Sequence, residues 1–326
     1  MINSNLSIFE YGSAICYSGY RKSQSPKYGV YPSYSEIEED LKLLVGYWDY
    51  IRLYDCGEHA KRVLEVIERN DLDLRVMLGA DIKAELNNPE CPWGKPIESA
   101  TLKNNANLNE KELTFLIDMA RCHSNVVFAV SVGNETTAPW TDHKVSVERM
   151  IEFAKVLKAA NIQPVTFCEG YEPWMDSLQP LAEILDFISI HTYPIWENKS
   201  IEEALEHSMN CYYQVAEAYP DKQIIITEAG WTTESDGKRI YRSQANEDSQ
   251  SLYCSEVLRW SEKAGILNFI FEAFDEPWKG SQDPREPEKH WGLFKEDRTP
   301  KKALRHLRNL KRAGELDRCQ SNKRKA

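Results

Sequence analysis

Eight short apolar runs, each followed by a stretch of helical spacing, succeed one another along the 326-residue chain. The runs are 13–17, 50–55, 75–81, 126–132, 164–167, 187–194, 224–228 and 268–274. Ile224-Ile225-Ile226 is three β-branched residues in succession, which suits a strand covered on both faces inside a parallel sheet. Between the runs, Ile37, Leu41, Leu44 and Val45, then Val63, Leu64 and Ile67, then Leu113, Leu116, Ile117 and Ala120, recur on helix faces. Ser35 with Glu38 forms a Ser-x-x-Glu box that opens the first helix, and Asn109 with Glu112 opens a later one. Regular alternation over about 250 residues or more leaves a closed barrel or an open doubly wound sheet. No GxGxxG or phosphate loop follows any strand, and the count of units favours the barrel. The chain therefore reads as an α/β protein, a single-domain (β/α)8 TIM barrel over residues 1–312 with a basic, flexible tail at 313–326.

A parallel barrel places its chemistry at the C-terminal ends of its strands. Collected there are Arg52, Tyr54, Asp55, Asp81, Asn134, Glu135, Glu169, His191, Tyr193, Glu228, Trp231, Asp275, Glu276 and Trp278. The rim is acidic and aromatic, with one early arginine. Two apolar strands end abruptly in Glu135 and Glu228, across the mouth from each other. A pair of carboxylates is what cleavage of a glycosidic bond requires, and a separation of about 5–5.5 Å marks the retaining mechanism. Glu169 reads as a loop carboxylate and Asp275 as structural. Glu272 lies inside the eighth run and needs a buried partner if it points inward. Trp93, Trp140, Trp174 and Trp196 read as packing.

The formal charge of -11 argues against a nucleic-acid partner and against an anionic membrane surface. No apolar run approaches the ~20 residues of a membrane span. Met1 to Glu10 shows no basic region followed by an apolar stretch, so no secretory leader is read. The eight cysteines are scattered without a CxxC pair and read as reduced thiols of a cytoplasmic protein. No HxH or HExxH spacing occurs among the histidines, so neither a metal nor another cofactor is expected.

Five stretches then carry a resemblance. They are Ile51-Arg52-Leu53-Tyr54-Asp55, Val132-Gly133-Asn134-Glu135, Thr227-Glu228-Ala229-Gly230-Trp231, the segment Phe271 to Lys279, and Glu288 to Phe294. In this order they resemble family 17 of the glycoside hydrolases, the β-1,3-glucanase and β-1,3-glucanosyltransferase family of the large retaining clan with (β/α)8 barrels. Pro277-Trp278 after the eighth strand is similar to the bacterial branch rather than the plant one. The resemblance implies a β-glucan or gluco-oligosaccharide substrate, Glu135 as general acid/base and Glu228 as nucleophile. It further implies Glu276 and Lys279 as rim residues binding sugar hydroxyls, Tyr54 lining the innermost sugar site, and Trp231 and Trp278 as stacking platforms. Beside it, Asn134 can bond a substrate hydroxyl, Tyr193 can orient the nucleophile, and Arg52 can hold a carboxylate ionised. The acid would have to arrive protonated, with its pKa raised. His191 is a further candidate for substrate contact. Hydrolysis and glycosyl transfer share the covalent intermediate, so the motifs leave both open. Other readings are a clan member acting on β-1,4-linked glucan or mannan, and a barrel that binds carbohydrate without catalysis.

Overall fold

The computed structural model describes residues 7–305. Eight parallel strands pair in sequence order and β8 returns to β1, closing the barrel. They are β1 Ser13–Cys16, β2 Tyr50–Arg52, β3 Arg75–Gly79, β4 Val127–Asn134, β5 Val165–Gly170, β6 Ile188–Thr192, β7 Ile224–Ala229 and β8 Asn268–Ile270. The helices are α1 Tyr34–Leu44, α2 Glu58–Arg69, α3 Ser99–Cys122, α4 Val147–Ala159, α5 Tyr171–Trp174, α6 Gln179–Ala182, α7 Ile201–Ala218 and α8 Glu247–Ala264. The (β/α)8 barrel read from the alternation is the fold observed. No helix among the described residues is long and apolar enough to cross a membrane.

Every residue of β6 and β7 is buried, as strands between a filled barrel and a helical ring must be. Such strands lose the alternation that marks a half-exposed strand, and they gain most from β-branched side chains. Each fully buried isoleucine contributes roughly 1.5–3 kcal/mol by leaving water. Helix α2 buries Val63, Leu64 and Ile67, the stripe that its spacing indicated, together with Ala60.

Some boundaries differ from the sequence pattern, each for a local reason. Two Ser-x-x-Glu frames overlap before α1, and the chain uses the earlier one. Ser33 Oγ accepts from Glu36 N–H at 3.3 Å, while the Glu36 carboxylate accepts from Ser33 N–H at 2.7 Å. Glu38 pairs instead with Lys42, one turn on. Helix α3 begins ten residues before Asn109, which is fully buried inside it. The Asn109 amide donates to Lys83 O at 2.9 Å and accepts from Lys83 N–H at 2.8 Å, so a residue read as a cap is a cross-link to the loop after β3. The fifth strand runs on through Glu169 to Gly170, and the eighth stops at Ile270. The last turn described, 302–305, begins the closing helix. The expected remainder of that helix, the boundary at 312, the tail and Cys319 lie outside the described residues.

The two ends of the fold meet at a buried ion pair. Asp40 of α1 is wholly buried, and Arg298 donates to it through Nε at 2.7 Å and Nη2 at 2.6 Å. Arg21 Nη2 approaches the same carboxylate at 3.1 Å, and Tyr17 Oη donates to it at 3.2 Å. Deleting one partner of such a pair leaves a charge with too little compensation. Arg298→Ala is therefore expected to lower unfolding free energy by about 3 kcal/mol, read from denaturant midpoints at unchanged slope.

Candidate active site

Glu228 stands near the end of β7, and four side chains converge on it. Arg52, the last residue of β2, donates through Nη1 to Oε1 at 2.6 Å. Tyr54 Oη donates to Oε1 at 3.0 Å, Tyr193 Oη to Oε2 at 2.5 Å, and His191 Nε2 lies 3.6 Å from Oε1. Burial pushes the Glu228 carboxyl up, but the charges of His191 and Arg52 and the Tyr193 hydroxyl outweigh it and hold the group below its usual range. Glu228 is ionised. Arg52 also donates to Thr227 O at 3.1 Å and to the Asn134 amide oxygen, and its guanidinium lies 4.4 Å from the Tyr54 ring centroid.

Glu135 follows β4 directly and adopts φ 50°, the left-handed region that costs a non-glycine residue about 1–2 kcal/mol. Its N–H donates to Cys168 O at 2.8 Å, and its carboxylate Oε1 lies 2.7 Å from His191 Nδ1. The facing atoms of Glu135, His191 and Glu228 all lie within 4.8 Å of one another. The glutamates differ in access, since the Glu135 side chain is 23% exposed and that of Glu228 6%. Burial pulls the His191 imidazole down, but Glu228, the Cys168 thiol and Glu135 raise it to about 10.

Several rim residues stand elsewhere than expected. Trp231 is fully buried, with its indole N–H donating to Gln244 O at 2.9 Å, so it packs under the loop and offers no platform. Glu276 is also fully buried. It accepts from Ser18 Oγ at 2.5 Å and pairs with Lys279 at 2.8 Å, so it holds the lysine rather than a sugar hydroxyl. Lys279 is shared with Glu272 at 2.7 Å, the buried partner Glu272 needed. Asp275 pairs with Lys301 at 2.7 Å. Tyr54 bonds Glu228, and His191, 3% exposed, sits between the two carboxylates rather than on a sugar-facing surface. Trp278 is partly buried against Tyr20. Trp174 packs in the core and Trp196 against Trp291, whereas Trp93 and Trp140, read as packing, are 49% and 41% exposed.

Three residues near the pair were missed. Glu169, read as a loop carboxylate, is fully buried in β5. Glu288, half-buried, is lifted to about 7 by burial and, against the pull of Lys279, by Glu135, Glu286 and Glu228. His143 Nε2 lies 3.0 Å from Asn134 O. Glu169 had stood among the strand-end residues and Glu288 in a family-like stretch, whereas His143 had no signal. Among the described residues, two sets of donors could approach a cation: Glu135, His191 and Glu228, and separately Glu197, His207 and Cys211. In the first set, Arg52 and His191 already provide the positive charge. The cysteines among the described residues are free thiols.

The family described as the BtgE/BtgC glycoside hydrolase domain matches residues 14–292. The chain belongs to that family. A curated relative, the glucan 1,3-beta-glucosidase of Arthroderma benhamiae, is 26% identical over 195 residues, or 55% of this chain. The chain spans 61% of that relative's own length. An endo-laminarinase from Formosa superposes with TM-score 0.78 at 24% identity, covering 91% of this chain and 86% of that one. A family 17 β-1,3-glucanosyltransferase from Rhizomucor miehei does so with TM-score 0.69 at 20% identity, covering 89% and 96%. These two structures share the fold.

A testable sign follows from His191. Its pKa rises from an ordinary 6.5 to about 10 in the folded protein. The stability linked to its proton is complete below the unfolded value and is lost as pH climbs through the folded one. Thermal unfolding between pH 6 and 11 should show a loss for the wild type that is flatter in His191→Asn.

Proposed function

We propose that this protein is a retaining glycosidase acting on β-1,3-linked glucan chains or oligosaccharides. Glu228 is the nucleophile and Glu135 the general acid/base. The observation that carries the reading is the spacing of the pair. Facing atoms within 4.8 Å suit the roughly 5–5.5 Å of retaining enzymes, where one carboxylate attacks the anomeric carbon directly, better than the about 6.5–9.5 Å at which inverting enzymes hold a water. The glycosidase reading is supported by the family, and the β-1,3 linkage by the names of the curated relative and of the two solved structures.

In the first step a Glu228 oxygen forms a bond to the anomeric carbon as the bond to the leaving oxygen breaks. The proton on that leaving oxygen comes from the Glu135–His191 pair, which holds it as a unit. Glu228 loses its negative charge on becoming an ester while the pair loses one proton, so the net charge of a buried site stays constant. That balance removes a large solvation cost from the step. In the second step Glu135 takes a proton from water or from a sugar hydroxyl, and the resulting oxygen displaces Glu228. Arg52, Tyr54 and Tyr193 hold Glu228 ionised and oriented before the attack, and receive the carboxylate again when the ester is displaced.

The test is incubation with β-1,3-gluco-oligosaccharides of graded length, following product size and anomeric configuration by NMR. Retained configuration is expected, with longer products signifying transfer and only shorter ones hydrolysis. Inverted configuration would refute the mechanism. Glu228→Gln should lower kcat by about 10³-fold or more in a folded protein, the order of loss that follows removal of a nucleophile.

A further inference from the structure

Glu169 is a buried carboxylate that the mechanism above leaves unused. It lies in β5 with no exposed surface, so substrate cannot touch it. Both of its oxygens are engaged. Oε2 accepts the Thr137 hydroxyl at 2.6 Å and the Thr137 N–H at 3.2 Å, and Oε1 accepts the Gly170 N–H at 2.9 Å. Thr137 stands two residues beyond Glu135.

That placement matters because of the backbone at Glu135. A glutamate in the left-handed region stays there only when its surroundings over-determine it. On one side the Glu135 N–H is tied to Cys168 O at 2.8 Å. On the other, both donors of Thr137 are tied to the residue after Cys168. One short stretch of β5 therefore grips the chain before and after the acid/base. Burying a carboxylate is costly, and a turn that needed only to be closed could use water or a neutral acceptor. Burial and the charge of Glu135 lift Glu169 to about 7, while Thr137, Gly170 and His191 pull it down. The two carboxylates thus sense each other across the turn.

The geometry points to Glu169 as the positioning residue of the acid/base. Through Thr137 it holds Glu135 in its left-handed conformation and presents the carboxyl to His191 and the leaving oxygen. The inference rests on the reading of Glu135 as acid/base.

The test separates leaving groups. A β-1,3-gluco-oligosaccharide needs its leaving oxygen protonated, whereas a dinitrophenyl β-laminaribioside does not. For Glu169→Gln, kcat/KM on the oligosaccharide should fall about tenfold or more while that on the aryl glycoside stays within about twofold. Thr137→Val should shift the ratio the same way, and Thr137→Ser, which keeps the hydroxyl, should restore it. Should Glu169→Gln fail to fold, the Thr137 pair carries the test alone. Glu135→Ala serves as reference. If it lacks the leaving-group split, the acid/base reading is wrong. If it shows the split while Glu169→Gln and Thr137→Val lower both substrates equally, or neither, the positioning role is overturned.

Discussion

An arginine with 2% of its surface exposed sits in the throat of this barrel, and the site is built to satisfy it. Arg52 meets Glu228 of β7, Asn134 of β4 and the Thr227 carbonyl, so one guanidinium ties the second, fourth and seventh strands together. A buried pair of this kind adds little net stability, because desolvation cancels much of the attraction. What it supplies is geometry. The planar fork can satisfy carboxylate and amide at once only when both strands end at the right height. Tyr54, Tyr193 and His191 then complete the shell of Glu228, and His191 carries the influence across to Glu135.

Much of this was legible in the chain. Eight apolar runs alternating with helical stripes announced the barrel, and a carboxylate ending an otherwise apolar strand is conspicuous at Glu135 and Glu228. The burial of Glu169 inside β5 was not legible. Strands buried on both faces have no polar–apolar alternation, so nothing local says whether the glutamate after Phe167-Cys168 ends the strand or lies in it. Its partners on Thr137 belong to another loop and exist only once β4 and β5 are paired. Asn109 misled for a related reason, since a cap and a buried amide cross-link use the same side-chain atoms.

Trp231 shows how backbone decides what an aromatic does. A Cβ on the preceding Gly230 would lie 2.3 Å from Phe271 O, so the chain hugs the segment after β8 and sends the indole inward, toward Tyr253 of α8. Glu276 was misread because an acidic residue at a rim looks free until Lys279 is seen clamped between it and Glu272. Among the tryptophans, those open to solvent are Trp93, which lies 4.7 Å from the Arg239 guanidinium, and Trp140. Both had looked like packing residues.

The Asp40–Arg298 pair spans 258 positions of sequence, and that distance bears on how the chain is made. Synthesis runs from the N-terminus, so α1 emerges long before its counter-ion exists. Until Arg298 appears, the Asp40 carboxylate has Arg21 as its nearest cation, itself partly in water, and sealing the first helix against the barrel would strand a charge. Burial of α1 against the barrel is therefore completed only by the segment that follows β8, the last part of the described fold to be made.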